Sequence, residues 1–164
     1  KIVQPQKIYT VQEAKGKIYR YCAYQERSHS EVRDKLKSFG LSSHEVDELL
    51  VHLITEGYLN EERFAKAFAG GKFRMKKWGR LKIVQALQGY DISGNCIKAG
   101  LSEIENNEYL NVLEELVHKC IEQSTEPNLF IKRDKISKTL MLKGFEPELV
   151  WELLRRHLPD KNNA

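Results

Sequence analysis

One spacing of residues recurs three times along this chain and constrains its fold more than any other feature. In each copy an apolar residue is followed four positions later by a second apolar residue. A turn residue comes four positions after that, with an apolar residue directly behind it, and a last apolar residue lies five positions further on. The turn residues are Gly40, Asp91 and Gly144, which lie 51 and 53 residues apart. A repeat of this length is typical of arrays in which similar units stack and present extended surfaces to large partners.

The spacing within each copy is that of helices separated by a tight turn. The two leading apolar residues, such as Val32 and Leu36, lie on one face of a short helix. Gly40 and Gly144 stand where a left-handed residue commonly ends such a helix. Asp91 takes this place in the middle copy, and because aspartate tolerates the left-handed conformation less well than glycine, we expect a different or strained turn there.

Further helices complete each unit. A second helix follows each turn. In the first repeat, Ser28 precedes the helix before the turn and Ser42 precedes the helix after it, and each serine has glutamate three positions later, which predicts a capping box at both helix starts. A third helix precedes each pair, as between Asn60 and about Lys77. We therefore predict an all-α fold of three tandem three-helix repeats forming an elongated, curved array. The expected divisions are an N-terminal tail at 1–9, repeats at 10–58, 59–105 and 106–158, and a C-terminal tail at 159–164.

Composition favours a folded, soluble protein of the cytoplasm. The 164 residues are 41% hydrophobic and 30% charged, which is typical of a chain that buries a core. The three cysteines are far apart and lack metal or redox spacing, so we expect them to be reduced. We find no apolar run of about 18 residues and no signal-peptide pattern, and we expect no membrane contact. The sequence begins with Lys1 rather than Met, which indicates a trimmed chain.

The net charge of +4 is unevenly distributed. Residues 59–105 hold nine basic and five acidic side chains, whereas residues 10–58 hold seven and eight, and residues 106–164 hold nine and ten. A basic middle with neutral flanks indicates an acidic or polyanionic partner, and a merely solvated face is the alternative.

The candidate binding surface is a basic segment, and two of its aromatic residues belong to the predicted site. No acid lies between Glu62 and Asp91. The candidate site residues are Lys66, Lys72, Phe73, Arg74, Lys76, Lys77, Trp78, Arg80 and Lys82.

A helical projection with Phe68 at the centre of the buried face orients this segment. It places Gly71 and Met75 inward, with a neighbouring helix packed closely on Gly71, and it places Phe73 outward between lysines. An exposed Phe73, followed by Trp78, would stack on a base or fill an apolar notch in a partner. The alternative is that both aromatic residues pack on the adjoining repeat.

Arg63 is the exception among the basic residues of the middle repeat. It follows Glu62 in the first turn of a helix, where the helix dipole disfavours a cation. We therefore expect it to form a salt bridge with an acid of the preceding repeat, in a structural role.

No catalytic or metal-binding motif is recognisable in the chain. The five histidines include no pair at i,i+4, and His118 and Cys120 point to different sides of a helix. Phosphate loops, strained nucleophile turns and paired zinc histidines on a helix are likewise not found. We predict no catalytic residue, no metal and no cofactor.

Two segments resemble the signature of the RecX family. They are Gly-Tyr-Leu-Asn-Glu-Glu-Arg-Phe-Ala at 57–65 and Lys-Trp-Gly-Arg-Leu-Lys-Ile at 77–83, and residues 27–36 resemble the motif that precedes them in that family. The resemblance covers roughly residues 10–157. The chain departs from the family at 60–61, where members typically carry acidic residues, and at Asp91, where they favour glycine.

The resemblance implies a non-enzymatic regulator of the RecA recombinase. Members of the family bind the RecA filament on single-stranded DNA, lie in its helical groove, and inhibit its ATPase and strand exchange. The basic segment would then meet acids of the filament or phosphates of the DNA, and we expect the protein to be a monomer. A stand-alone nucleic-acid-binding protein is the alternative, because a three-helix unit can resemble a helix-turn-helix. An enzyme with a site between repeats is a third.

Overall fold

Nine α-helices form the regular structure of residues 8–160, the part of the chain that the computed structural model describes, and no strand occurs there. The all-α fold of three-helix repeats is thereby confirmed, while its elongated, curved shape stays a prediction. The predicted tails lie largely outside the described residues. The helices are α1 Val11–Tyr24, α2 His29–Ser38, α3 Ser43–Thr55, α4 Glu61–Lys76, α5 Arg80–Gly89, α6 Gly94–Leu101, α7 Asn106–Gln123, α8 Leu129–Leu142 and α9 Pro147–His157.

Side-chain caps fix where the first helices begin. The Ser28 N–H donates to Glu31 Oε2 at 2.8 Å, and the Glu31 N–H donates back to Ser28 Oγ at 3.1 Å. Ser42 and Glu45 form the same reciprocal pair at the start of α3, so both predicted capping boxes are confirmed. Each box satisfies two backbone donors that a helix leaves without partners and is worth about 1 kcal/mol.

The turn after the second helix of each repeat is left-handed. The φ angles of Gly40, Asp91 and Gly144 are 85°, 57° and 96°. In the middle copy the Asp91 N–H donates to the Gln88 carbonyl at 3.0 Å, and the next N–H, that of Ile92, donates to the carbonyl five residues before it at 3.2 Å. The turn at Gly144 has the same pair of bonds. The turn at Asp91 therefore keeps the pattern of its counterpart, and its strain lies in a left-handed residue that carries a side chain.

The chain divides into two compact units that do not coincide with the repeats. The first comprises Lys1–Ala67 and Leu87–Gly100, and the second comprises Phe68–Ala86 and Leu101–Ala164. The boundaries of the three repeats stay a prediction.

The first unit has its core between α1, α2 and α3. Ala14 and Ile18 from α1, Leu36 from α2, and Val46 and Leu53 from α3 are among its fully buried residues. These positions recur every three or four residues along their helices, as an amphipathic pattern requires.

Arg63, at the start of α4, joins this core to the rest of the first unit. Its Nε donates to Glu26 Oε1 at 2.5 Å, and one of its terminal nitrogens donates to the Gly57 carbonyl at 2.9 Å. The predicted salt bridge to an acid of the preceding repeat is thus confirmed. The charged group also satisfies a carbonyl in the turn that ends α3, which offsets its unfavourable place in the helix dipole.

The second unit has an aromatic centre. The Tyr109 ring on α7 lies 5.7 Å from the Phe73 ring and 5.3 Å from the Phe145 ring, measured between centroids. All three side chains are at most 1% exposed. Aromatic ring pairs at these distances add about 0.5–1.5 kcal/mol per pair to the gain from burial.

The three cysteines are free thiols in this structure, and burial raises the pKa of Cys22 to about 11. Among the described residues, no helix is both long enough and apolar enough to cross a membrane.

Replacing Asp91 tests the strain in the middle turn. We expect Asp91→Gly to raise the free energy of unfolding by about 0.5–1 kcal/mol, because glycine adopts positive φ without the steric cost of a Cβ. Asp91→Ala, which keeps the Cβ, is the matched control and should give no such gain. Urea unfolding followed by circular dichroism measures both, and equal stabilities of the two variants would contradict the strain.

Candidate functional site

The predicted site lies at the end of α4 and in the turn that follows it. Lys77 ends the helix with a left-handed φ of 54°. Its N–H donates to the Phe73 carbonyl at 3.0 Å, and the Trp78 N–H donates to the Lys72 carbonyl at 3.2 Å. The backbone thus folds back on the last turn of the helix, satisfying carbonyls that would otherwise lack partners.

The same turn docks, through its backbone, on the turn between α8 and α9. The Gly79 N–H donates to the Lys143 carbonyl at 2.7 Å, and the Leu81 N–H donates to the Gly144 carbonyl at 3.0 Å. A Cβ on Gly79 would overlap the backbone of Gly144. This approach requires glycine at both positions, since any side chain would force the two turns apart.

Arg80 is held by a network directly behind this turn. Its guanidinium lies 3.7 Å from the centre of the Tyr109 ring and donates to Glu146 at 3.4 Å and to Asn106 at 3.0 Å. The Tyr109 hydroxyl accepts the Arg80 backbone N–H at 3.1 Å and donates to Glu146 Oε2 at 2.5 Å. Burial, and secondly the hydrogen bond to Glu146, raise the pKa of Tyr109. Arg80 therefore serves mainly to hold the turn on α7 and α9.

Trp78 is half-buried and lies beneath two lysines. The ammonium groups of Lys72 and Lys82 lie 4.9 and 4.5 Å from the centre of its ring, and the Phe68 ring lies 6.4 Å away. Cation–π contacts at these distances contribute about 0.5–1 kcal/mol where exposed. Lys72, Trp78 and Lys82 thus form one cluster in which two cations lie over a single ring.

The last turn of α4 forms an exposed surface, here called the α4 end: Arg74, Met75, Lys76 and Lys77. Met75 is 82% exposed, and no ion pair joins the other three to a carboxylate within residues 8–160. Cations are favourable at the carboxyl end of a helix, so these charges are stable without acidic partners. The α4 end can therefore offer three positive charges and one flexible apolar side chain to a partner.

The predicted orientation of α4 is wrong at three positions. Phe73 was expected outward but is 1% exposed, and Met75 was expected inward but is exposed. The Gly71 backbone has open space beside it, and the close approach is at Gly70, where a Cβ would meet the Arg74 side chain. The projection took Phe68 as the centre of the buried face, but this side chain is only half-buried. If the buried face is centred one residue further along the helix, the predicted direction of every side chain changes by about 100°.

The nine predicted site residues do not form one uniform surface. Lys66 lies in the first compact unit, half-buried, with its ammonium 3.0 Å from Glu62. The other eight lie in the second unit: Lys72, Trp78 and Lys82 in the cluster, Arg74, Lys76 and Lys77 in the α4 end, Arg80 in its network, and Phe73 in the core. The alternative in which Phe73 packs on the adjoining repeat is correct, because its ring meets Tyr109.

One group of potential ligand side chains escaped the sequence reasoning. Glu114 and His118 lie one turn apart on α7, and His157 comes from α9, with their nearest donor atoms all within 4.8 Å of one another. His157 Nε2 lies 2.8 Å from Glu114 Oε1, so the contact already joins α9 to α7 as a hydrogen bond. A search for paired histidines overlooks it because the two histidines are far apart in sequence. The absence of a metal stays a prediction.

Comparison with known proteins gives consistent matches to one family. The model of the first three-helix domain of RecX matches residues 14–53, and that of the second three-helix domain matches residues 60–101. Regulatory protein RecX of Lactobacillus gasseri is 29% identical over 129 residues, covering 79% of this chain and 48% of that protein. The protein of the same name from Lactococcus lactis subsp. cremoris is 31% identical over 129 residues, covering 76% and 48%. The chain spans about half the length of the curated relatives it matches.

Solved structures show the same fold. The crystal structure of RecX from Lactobacillus salivarius superposes with a TM-score of 0.79 at 20% identity, covering 89% of this chain and 95% of that one. A second crystal structure, of a regulatory protein RecX, gives the same score and identity and covers 89% and 73%.

Because the two turns dock so closely, one methyl group added at Gly79 should clearly destabilise the fold. We expect Gly79→Ala to lower the free energy of unfolding by about 1–3 kcal/mol, because the added Cβ overlaps the Gly144 backbone. Gly89→Ala is the matched control: it lies in α5 with open space around it, and alanine should be neutral or stabilising there. Urea unfolding distinguishes the two, and equal effects would refute the close approach.

Tyr109→Phe tests the network at Arg80. At pH 7 we expect it to lower the free energy of unfolding by about 1–3 kcal/mol, because an Arg80 N–H and a Glu146 oxygen lose their partner. Since the folded pKa of Tyr109 is raised, the unfolded phenol ionises first, near 10.0, and the wild type loses stability as the pH rises past that value.

The phenylalanine variant lacks this group, so the stability difference between it and the wild type should narrow from pH 8 to pH 11. Tyr19, whose pKa is raised to about 12 chiefly by its hydrogen bond to Glu56, is present in both proteins, and its effect therefore cancels. A difference that is independent of pH would show that Tyr109 titrates normally.

Proposed function

Because this chain belongs to the RecX family of regulatory proteins, we propose that it binds the RecA–single-stranded DNA filament and inhibits its ATPase and strand-exchange activities. By doing so it would modulate recombination and DNA repair. The observation that carries the proposal is the α4 end, where exposed cations without acidic partners surround an exposed methionine.

The chemistry of the α4 end suits a polyanionic assembly. Lys76 and Lys77 offer exposed ammonium groups to phosphates or carboxylates, and they lose no salt bridge on binding. Met75 supplies an adaptable apolar contact of the kind found at protein-binding surfaces. Phe73 takes no part in contact with the filament, since its ring is buried against Tyr109.

The residues around the α4 end either hold it in place or flank it. Arg80 and Gly79 fix the turn on the third repeat, and the cluster of Lys72, Trp78 and Lys82 lies beside it. In this proposal Trp78 and the two lysines meet the filament at the edge of the contact. The protein acts without chemistry of its own, as a cytoplasmic monomer.

Charge reversal at the α4 end is the direct test. We expect Lys76→Glu combined with Lys77→Glu to abolish inhibition of ATP hydrolysis by a preformed RecA–single-stranded DNA filament, because two attractive charges become repulsive. Wild-type protein should inhibit at sub-stoichiometric amounts under physiological salt. The assay is a titration of ATPase rate, with thermal unfolding of each variant measured alongside.

The matched control is Lys37→Glu combined with Lys98→Glu. Both lysines are exposed in the last turns of their helices, α2 and α6, so reversal costs a similar interaction with the helix dipole. This control should inhibit like the wild type. Full inhibition by the Lys76 and Lys77 variant would remove the α4 end from the proposal, and no inhibition by folded wild-type protein would refute the function itself.

A further inference from the structure

The three side chains that bridge α7 and α9 in the second compact unit form a set of metal ligands. Glu114 and His118 lie one turn apart on α7, and His157 is the last residue of α9. Their donor atoms all lie within 4.8 Å of one another, and no other group of three His, Cys, Asp or Glu side chains within residues 8–160 comes this close. Two imidazoles and a carboxylate are a ligand set that zinc binds in proteins.

Packing holds the backbone on both sides of this group. Val117 on α7 and Leu154 on α9 are fully buried. Where α9 ends, the Leu158 N–H donates to the Leu154 carbonyl at 2.8 Å, and the Leu158 carbonyl accepts the Nε–H of the buried Arg133 at 2.9 Å. Ligands carried on packed helices are held more precisely than ligands on loops, and His157 directly precedes this anchored residue.

The contact between Glu114 and His157 marks the place where an ion would lie. His157 Nε2 lies 2.8 Å from Glu114 Oε1, and because a carboxylate only accepts, the imidazole donates the proton between them. The His118 ring lies 4.2 Å from the His157 ring, measured between centroids. A dication in place of the shared proton would attract the same two atoms, with the proton of the imidazole moved to Nδ1.

The adjustment needed to complete a zinc site is small. Zinc–ligand distances of about 2.0–2.2 Å place the ligand atoms of a tetrahedral site about 3.3 Å apart. The widest separation in the group, at most 4.8 Å, would therefore have to close by no more than about 1.5 Å to reach that tetrahedral spacing. His118 is exposed, so its ring can rotate toward the other two ligands, and an ion can enter from solvent on that side.

We propose that Glu114, His118 and His157 bind a zinc ion, with water in the fourth position, and that the ion fastens α9 to α7. The expectation of no metal rested on histidine spacing along the chain, whereas this group is assembled by the packing of two helices. Magnesium and calcium fit the group poorly, because these ions take oxygen ligands and two of the three ligands are imidazoles. The site shares no residue with the α4 end and does not depend on the proposed function.

Isothermal titration of the full chain with ZnCl2 tests the proposal. We expect one zinc ion per chain and no binding of MgCl2 or CaCl2. His118→Gln and His157→Gln should each weaken zinc binding about tenfold or more, since each removes one of three ligands. His118 is exposed, so its variant should keep the fold, and circular dichroism checks both proteins.

Thermal unfolding gives a second readout of the same site. Free zinc at about a hundred times its Kd should raise the Tm of the wild type by about 5–10 °C, because the ion binds only the folded state. The same zinc concentration should leave the Tm of the His118→Gln variant within about 2 °C of its metal-free value.

His44→Gln is the matched control. His44 lies 3.2 Å from Glu48, one turn away on α3, as His118 lies one turn from Glu114, but no third ligand completes that pair within the described residues. This variant should bind zinc like the wild type. Cys120→Ser should also bind zinc normally, which shows that the thiol two residues beyond His118 is not a ligand.

Several results would overturn the proposal. They are no zinc binding by the folded wild type, undiminished binding by His118→Gln or His157→Gln, and loss of binding in His44→Gln, which would indicate non-specific capture by surface histidines. A thiolate-to-cobalt charge-transfer band on titration with CoCl2 would likewise overturn it, because a cysteine would then be a ligand. Inhibition of RecA is measured in a different assay, and its failure leaves these results unaffected.

Discussion

The contact between two backbone turns, at Gly79 and at Gly144, is the constraint on which the candidate surface depends. Two hydrogen bonds cross it, and both use donors that no helix satisfies. Because neither glycine has a side chain, the turns approach to hydrogen-bonding distance, which fixes the direction in which α5 leaves α4. The last turn of α4 is therefore presented as a defined surface rather than as a loose helix end.

The network behind this contact decides which charges remain available to a partner. Arg80 directs its guanidinium inward to Tyr109 and Glu146, and its charge is largely neutralised there. Lys76 and Lys77 lack such partners and keep their charge at the surface. A segment that is uniformly basic in sequence thus separates into an anchoring cation and cations that stay exposed without acidic partners. Anchoring by arginine suits this division, because its planar group can stack on a ring and donate to a carboxylate simultaneously.

Local features were predictable from the sequence, whereas features that depend on distant residues were not. The capping boxes at Ser28 and Ser42 and the left-handed turn at Gly144 involve groups within five residues of one another. The buried face of α4 depends on Tyr109, which is 36 residues beyond Phe73 in sequence. Helical periodicity gives the angles between side chains but not the direction of the core. Because the projection took Phe68 as the centre of the buried face, it placed Phe73 outward and Met75 inward, the reverse of their positions in the structure.

Charge counting along the chain does not show which charges are paired in the fold. The first repeat is nearly neutral in sequence, yet its acids pair with Arg33 and Arg63 or cap helices, as Glu31 does. Lys17 and Arg20 share a face of α1 with Tyr24, at intervals of three and four residues, and have no acidic partner within residues 8–160.

A signal of this kind, cations and aromatics on one helical stripe, was present in the sequence but is lost when charges are summed over a repeat. What determines the strength of an electrostatic surface is the number of charges without partners, since paired charges contribute little to the field beyond their own contact. By that measure the α4 end is a strongly positive surface, because Arg74, Lys76 and Lys77 have no acidic partner within residues 8–160. The exposed Met75 among these cations adds an apolar side chain to the surface, which charge counting does not register.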